Sequence, residues 1–235
     1  MEMVVDSYLK INKDEPSAAM LKASCYVPNA EYINRAKMGF KTDGIPRLEP
    51  IFTEVGNQVW LPRGLVNKYL AMDSIKIVDN TVKGKEVDFK SKIVLREKPE
   101  NQIAFGDAFI KAVKEAYGAS AQAGWGFGKT IVALDLINKL SRTTIVVVHK
   151  TFLVDQWIER IKECYNIDES DIGMVAGDIV NWNGKKIVIA LVQSLLAKDM
   201  PESFYDYFGT FVLDEEHRFG APTFRQIIGR FRAIS

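Results

Sequence analysis

Hydrophobic and polar positions change rhythm near residue 94 of this 235-residue chain. Before that point the apolar runs are short and close to alternating. Residues 3–11 and 19–27 read as two half-buried strands across the turn-like Lys13-Asp14-Glu15-Pro16-Ser17. Asn29 caps a short helix over 30–38, which Gly39 ends. Runs at 48–55 and 58–61 flank Gly56-Asn57, the signature of a hairpin. Pro62-Arg63-Gly64 then leads into a short helix reaching residue 72, and 75–94 reads as strand, turn at Gly84, and strand. The pattern predicts a small α+β domain over residues 1–93.

From Leu95 onward strands and helices alternate, which predicts an α/β domain over 94–235: a parallel sheet with helices on its faces. Helices are expected at 104–117, 130–140, 151–165 and 193–198. Strands are expected at 118–122, 143–148, 172–176, 186–191 and 210–213. The run 143–148 is β-branched and uninterrupted, as a central parallel strand buried on both faces should be.

Composition narrows this only a little. With 47% hydrophobic and 26% charged residues, the chain reads as an ordinary soluble protein. No apolar run approaches the roughly 18 residues of a membrane span, and the first residues lack a basic signal-peptide head. Cys25 and Cys164 are far apart and without a second sulfur ligand nearby, which fits a reducing, cytoplasmic setting and buried small side chains. Net charge is +1, so bulk charge does not argue for a nucleic-acid partner.

Candidate chemistry sits in two places. Residues 121–130 run Ala-Gln-Ala-Gly-Trp-Gly-Phe-Gly-Lys-Thr and lead directly into a helical pattern. Glycines let backbone N–H groups face a polyphosphate, and a helix N-terminus adds its positive end. Ala123, Gly124, Gly126 and Gly128 form the loop, Lys129 reaches the terminal phosphates, and the Thr130 hydroxyl ligates magnesium. Ala123 stands where the phosphate-loop pattern GxxxxGK[ST] has its first glycine. Trp125 and Phe127 are expected to splay away and pack on neighbouring loops, and Phe152 and Trp157 to be core. The second place is Asp214-Glu215-Glu216-His217, at the end of an apolar strand. Asp214 would hold magnesium through water, and Glu215 would orient and deprotonate an attacking water. His217 is read as coupling the nucleotide to a second domain, or as a hydrogen-bonded histidine at a strand end.

Together these motifs resemble those of a superfamily 2 helicase of the DEAD/DEAH type. Val148-His149-Lys150-Thr151-Phe152-Leu153 with Gln156-Trp157 resembles motif Ia of phage UvsW-like and XPB-like DNA helicases, and 214–224 (DEEHRFGAPTF) resembles their DExH box. Residues 188–195 fit the segment of a Thr-x-Gln-Ser-like motif, Asn101-Gln102 resembles the glutamine motif, and 28–63 loosely resembles the small N-terminal domain of the phage proteins. The likeness implies the N-terminal half of an ATP-dependent DNA helicase or translocase: a RecA-like P-loop NTPase domain preceded by a small DNA-engaging domain. It implies ATP and Mg2+ as cofactors, hydrolysis of ATP, and Gln102 at the adenine edge. Catalytic roles would fall to Lys129, Asp214, Glu215 and His217. DNA-backbone contacts would come from Lys150, Thr151, Gln193, Ser194 and Arg63, with Arg35, Lys37 and Lys41 as a further basic face.

Three departures alter these expectations. Leu191 replaces a common threonine, removing one phosphate contact. Pro99 stands where an arginine precedes the adenine motif, leaving Arg96 or Lys98 to serve. The chain ends before a Ser/Thr-Ala-Thr motif and any second RecA-like domain, so an isolated chain is expected to bind Mg-ATP weakly and turn over little. Two other readings of the same motifs are a regulatory nucleotide- or DNA-binding module without turnover, and the motor of a restriction or defence system.

Overall fold

The computed structural model describes residues 2–66, 69, 75–215 and 226–235. The chain divides into two compact units, residues 1–79 and 80–235.

In the first unit, β1 (Glu2–Val5), β2 (Tyr8–Asn12), β5 (Thr53–Val55), β6 (Gln58–Pro62) and β7 (Lys76–Asp79) form one sheet in the order β5-β6-β2-β1-β7. Its pairs are antiparallel except β1 with β7. The expected run at 3–11 is thus two strands. Strict alternation buries Leu9, Ile11, Val59 and Leu61 on one face, where α1 (Ala18–Ala23) contributes Ala18 and Leu21. The second expected run, 19–27, is mostly this helix. Its Ala-Ala-Met-Leu-Lys-Ala content favours a helix, and only β3 (Tyr26–Pro28) remains extended, paired with β4 (Leu48–Pro50). The Asn29 cap is present: its side chain accepts from Glu31 N and Tyr32 N and starts α2 (Ala30–Lys37).

Residues 80–93, expected with the first unit, belong to the second. Val87 N donates to Ser141 O and Lys92 N to Cys164 O, while Phe89 is fully buried against Tyr165 with ring centroids 4.8 Å apart. The apolar side chains of this segment fill a space beside the parallel sheet, which the local pattern alone does not reveal.

The sheet of the second unit has the order β10-β9-β11-β8-β12. Its members are β8 (Thr144–Val148), β9 (Ile172–Ala176), β10 (Ile179–Asn181), β11 (Ile187–Leu191) and β12 (Thr210–Leu213). All neighbours are parallel except the short edge strand β10, which folds back on β9. β8 lies inside the sheet between β11 and β12, one place from the edge rather than at its centre, and is buried at all five positions, as its uninterrupted apolar run predicts. One face packs α4 (Lys129–Leu140) and α5 (Thr151–Cys164) through Leu134, Ile137, Val154, Trp157 and Ile161. The other face is filled by Leu195 of α6 (Val192–Ala197), Phe204 and Tyr205 of α7 (Glu202–Tyr205), and by Phe208 and Phe231. Tyr205 and Phe208 are buried in this second core, and Tyr207 packs against it. Residues 118–122 do not form the expected strand. That run, Gly-Ala-Ser-Ala-Gln, has no β-branched or aromatic side chain with which to pack in a sheet.

Candidate nucleotide site

Chain direction places the site. Only residues 141–143 separate α4 from β8, so α4 runs back along the sheet and its C-terminus lies at the amino end of β8. A helix of 12 residues spans about 18 Å and a strand of five spans about 17 Å, so the α4 N-terminus returns to the level of the β8 carboxyl end. α5 begins directly after β8 and α6 directly after β11, so their N-termini face the same edge. Asp214 follows β12, and its backbone N–H donates to Val147 O at 3.1 Å. The phosphate-type loop, Lys150-Thr151, Gln193-Ser194 and Asp214-Glu215 are therefore gathered at the carboxyl edge of one parallel sheet. This is the edge where open α/β sheets bind ligands.

The loop turns through two left-handed glycines, Gly126 (φ +75°) and Gly128 (φ +85°), a region that L side chains rarely adopt. Gly128 is the residue just before α4, and a Cβ there would stand 2.7 Å from Gln102 Nε2. Lys129 is exposed at the first helical position and Thr130 follows it half-buried. Phe127 turns inward onto Val132, Leu136 and Phe105. Trp125 does not pack on a neighbouring loop as expected: its flanking glycines provide no wall, and it is fully exposed.

Gln102 heads α3 (Gln102–Ala116), whose first turn is capped by the Asn101 side chain accepting from Ala104 N at 2.9 Å. Gln102 is 5% exposed, and its amide is oriented by two main-chain partners. Its carbonyl accepts from Arg96 N at 3.1 Å, and Nε2 donates to Phe127 O at 2.5 Å. One lone pair and one N–H of that amide remain for another partner. The Arg96 guanidinium donates to Gly126 O at 2.8 Å and to Phe127 O at 3.4 Å, and pairs with Glu100. Across a trans peptide, C=O and N–H point in opposite directions. With the carbonyls of residues 126 and 127 bound by Arg96, the N–H groups of Phe127 and Gly128 point away from its guanidinium. Sequence reasoning offered Arg96 as a partner for a base, whereas its guanidinium holds the loop.

Asp214 is half-buried, and its Oδ2 accepts the indole N–H of Trp157 at 2.9 Å. Trp157, read from sequence as plain core, is 2% exposed and does contribute to the core. It also touches the carboxylate, a contact that no pattern of spacing signals. Glu215 adopts φ +59°, unusual for a residue with a Cβ. His217 lies outside the described residues. Among the described residues no three His, Cys, Asp or Glu side chains cluster as a protein-built metal cage. The donor set of one hydroxyl and one carboxylate beside a glycine loop instead suits magnesium, which keeps several waters and shares phosphate oxygens.

The other sequence candidates are unequally disposed. Lys150 and Thr151 are exposed, the Lys150 ammonium sitting 5.8 Å from the centroid of the exposed Phe152 ring, which was expected in the core. Position 152 is in the first turn of α5, on the side away from the sheet. Gln193 is exposed, and its Nε2 donates to His149 O at 3.3 Å. Ser194 is 6% exposed, and its hydroxyl accepts from Gly177 N at 3.0 Å. It ties α6 to the end of β9, so its oxygen does not face an incoming backbone. Arg63 belongs to the first unit and is half-buried. It donates to Asp6 O at 3.3 Å, and burial draws its pKa down to about 10 against the pull of Asp6 and Asp79. Its guanidinium is thus engaged within the unit. Arg35, Lys37 and Lys41 remain exposed.

A protein of Acanthamoeba polyphaga mimivirus, provisionally named an ATP-dependent RNA helicase, is 30% identical over 226 residues, covering 96% of this chain and 40% of its own length. A probable helicase of Escherichia phage T5 is 28% identical over 103 residues, 44% of this chain and 22% of that protein. The chain therefore spans less than half the length of these relatives. The crystal structure of the UvsW helicase from bacteriophage T4 superposes with a TM-score of 0.63 at 15% identity, covering all of this chain and 89% of that one. That likeness shows the fold. Residues 92–234 match the model of the ResIII family, described as "Type III restriction enzyme, res subunit". With more than half of its length matched, and with its similarity to viral helicases, the chain belongs to the ResIII family of helicase-type, ATP-dependent domains.

Proposed function

We propose that this chain is the ATP-binding half of an ATP-dependent DNA helicase or translocase of viral or phage type, serving replication, recombination or repair. The observation that supports this most is the meeting, on one sheet edge, of a glycine loop ending in Lys129 with an acidic strand end at Asp214. Magnesium bound with the nucleotide supplies charge neutralisation of the polyphosphate. Lys129 and the loop N–H groups hold the β- and γ-phosphates, and the α4 N-terminus adds its dipole. The Thr130 hydroxyl and the Asp214 carboxylate would hold the metal. Glu215 orients the attacking water and takes its proton, and Gln102 uses its remaining lone pair and N–H for the adenine edge. His217 is assigned coupling to a second domain. Helicase motors of this kind close their ATP site with arginines from a second RecA-like domain, worth roughly 10³ to 10⁵ in rate. We assign that partner, in cis or in trans, to this domain too.

Nucleic acid is assigned to the exposed N-terminus of α5 and to Gln193. A motor that moves over any sequence contacts the backbone, and Lys150, Thr151 and the free helix end are suited to phosphates. The basic face of Arg35, Lys37 and Lys41 gives the first unit a complementary role. Ser194 and Arg63 drop out of the footprint because their polar atoms are engaged internally. Lys150→Ala is expected to weaken binding of DNA oligonucleotides about equally across sequences and to lower the slope of log K against log salt by about one. Parallel titrations with RNA of the same sequence read the track preference, and tighter RNA binding would move the assignment to RNA. A salt slope that does not change would remove Lys150 from the contact.

Arg96→Ala tests the loop support. The variant is expected to bind MgADP about tenfold more weakly, equivalent to ~1.4 kcal/mol, through loss of preorganisation of the Phe127 and Gly128 N–H groups. The Arg96 side chain is 45% exposed, so the thermal midpoint should move little. Lysine at the same position restores part of the affinity, because it can reach only one carbonyl.

A further inference from the structure

The Trp157–Asp214 contact is more than packing. Phenylalanine or leucine would fill the same core space on α5, and neither carries a donor. An indole N–H buried in an apolar core needs an acceptor. Here the acceptor is a carboxylate oxygen brought from 57 positions away, the stronger, charge-assisted class of hydrogen bond. A carboxylate on a strand end is otherwise free to rotate about its last torsion, which is broad for aspartate. Anchoring Oδ2 restricts that rotation and leaves Oδ1 outside the indole contact.

We propose that Trp157 is a positioning residue for magnesium. Its indole N–H fixes Oδ2 of Asp214, so that Oδ1 faces the metal-bound water without a rotational search. The proposal rests on the reading of Asp214 as the magnesium carboxylate. Trp157 touches neither the metal nor the nucleotide, and its effect is confined to the metal-dependent part of binding.

The test compares calorimetric affinities of the full chain for ADP with and without Mg2+, their ratio being the magnesium increment. Wild type is expected to show an increment, Asp214→Asn to lose it, and Trp157→Phe to lose about tenfold of it with metal-free ADP affinity unchanged. A full increment in Trp157→Phe, with Asp214→Asn lacking it, overturns the role of Trp157 alone. An increment unchanged in Asp214→Asn, or absent from wild type, overturns the reading of Asp214 and the proposal with it. Should Trp157→Phe not fold, wild-type indole ¹H–¹⁵N signals decide, since the chain holds four tryptophans. One signal should move both in Asp214→Asn and when Mg2+ is added to the ADP-bound wild type. If no indole signal responds to both, the proposal is overturned.

Discussion

Lys129→Ala is expected to lower the affinity of this chain for MgADP about a hundredfold. The ammonium is exposed at the first position of α4, beside the two left-handed glycines. A hydrogen bond to a charged group contributes ~1.5–3 kcal/mol, and a phosphate offers the strongest acceptor the site will meet. A loss of ~2.7 kcal/mol corresponds to the hundredfold change. Because the side chain is solvated in the free protein, its removal leaves no buried group unpaired, and unfolding should be unaffected. Calorimetric titration of both proteins, with a thermal melt as control, gives the comparison. Equal affinity in the variant would remove phosphate binding from this loop and, with it, the nucleotide function.

The second large effect is structural. Gly209 stands immediately before β12, and a Cβ added there would lie 2.0 Å from Lys83 O and 2.6 Å from Lys83 C. Both are backbone atoms held in place: Val82 N donates to Arg232 O and Ile234 N to Val82 O, while Gly209 N itself donates to Thr143 O. No side chain can swing away to relieve the contact. Gly209→Ala is expected to destabilise the second unit by ~3 kcal/mol, the upper end of overpacking costs. For a unit of this size that lowers the thermal midpoint by roughly 6–12 °C. The melt should be followed by far-ultraviolet circular dichroism. A midpoint within a degree of wild type would mean that residues 83 and 209 do not approach as described.

The sheet of the second unit was readable from sequence because its strands are continuous apolar runs and its helices keep a 3.6-residue period. β8, β9, β11 and β12 lie within a residue of expectation. The misplaced elements share a physical cause. Residues 80–93 carry apolar side chains without regular period, and what they pack against is far away in sequence. Residues 18–23 alternate weakly, and helix propensity decided them. The short strand β10 escaped notice because Ile179-Val180-Asn181 pairs on β9 with every position exposed, so no buried pattern marks it. At the site, residue types and spacing singled out the loop and the acidic strand end as candidates. They could not say which polar atoms are already engaged. Ser194 and Arg63 bear suitable groups and use them internally, whereas Arg96 and Trp157 bear groups whose partners only the folded chain reveals.

Trp125 gives the second unit an optical handle on its own chemistry. Its indole is in water at the apex of the loop, while Trp157 is sealed in the core and Trp60 and Trp182 are partly covered. Emission from Trp125 should therefore be the most red-shifted of the four and the first reached by a collisional quencher. The red, quencher-accessible part of this protein's fluorescence then reports the state of one short glycine loop, without any label being attached.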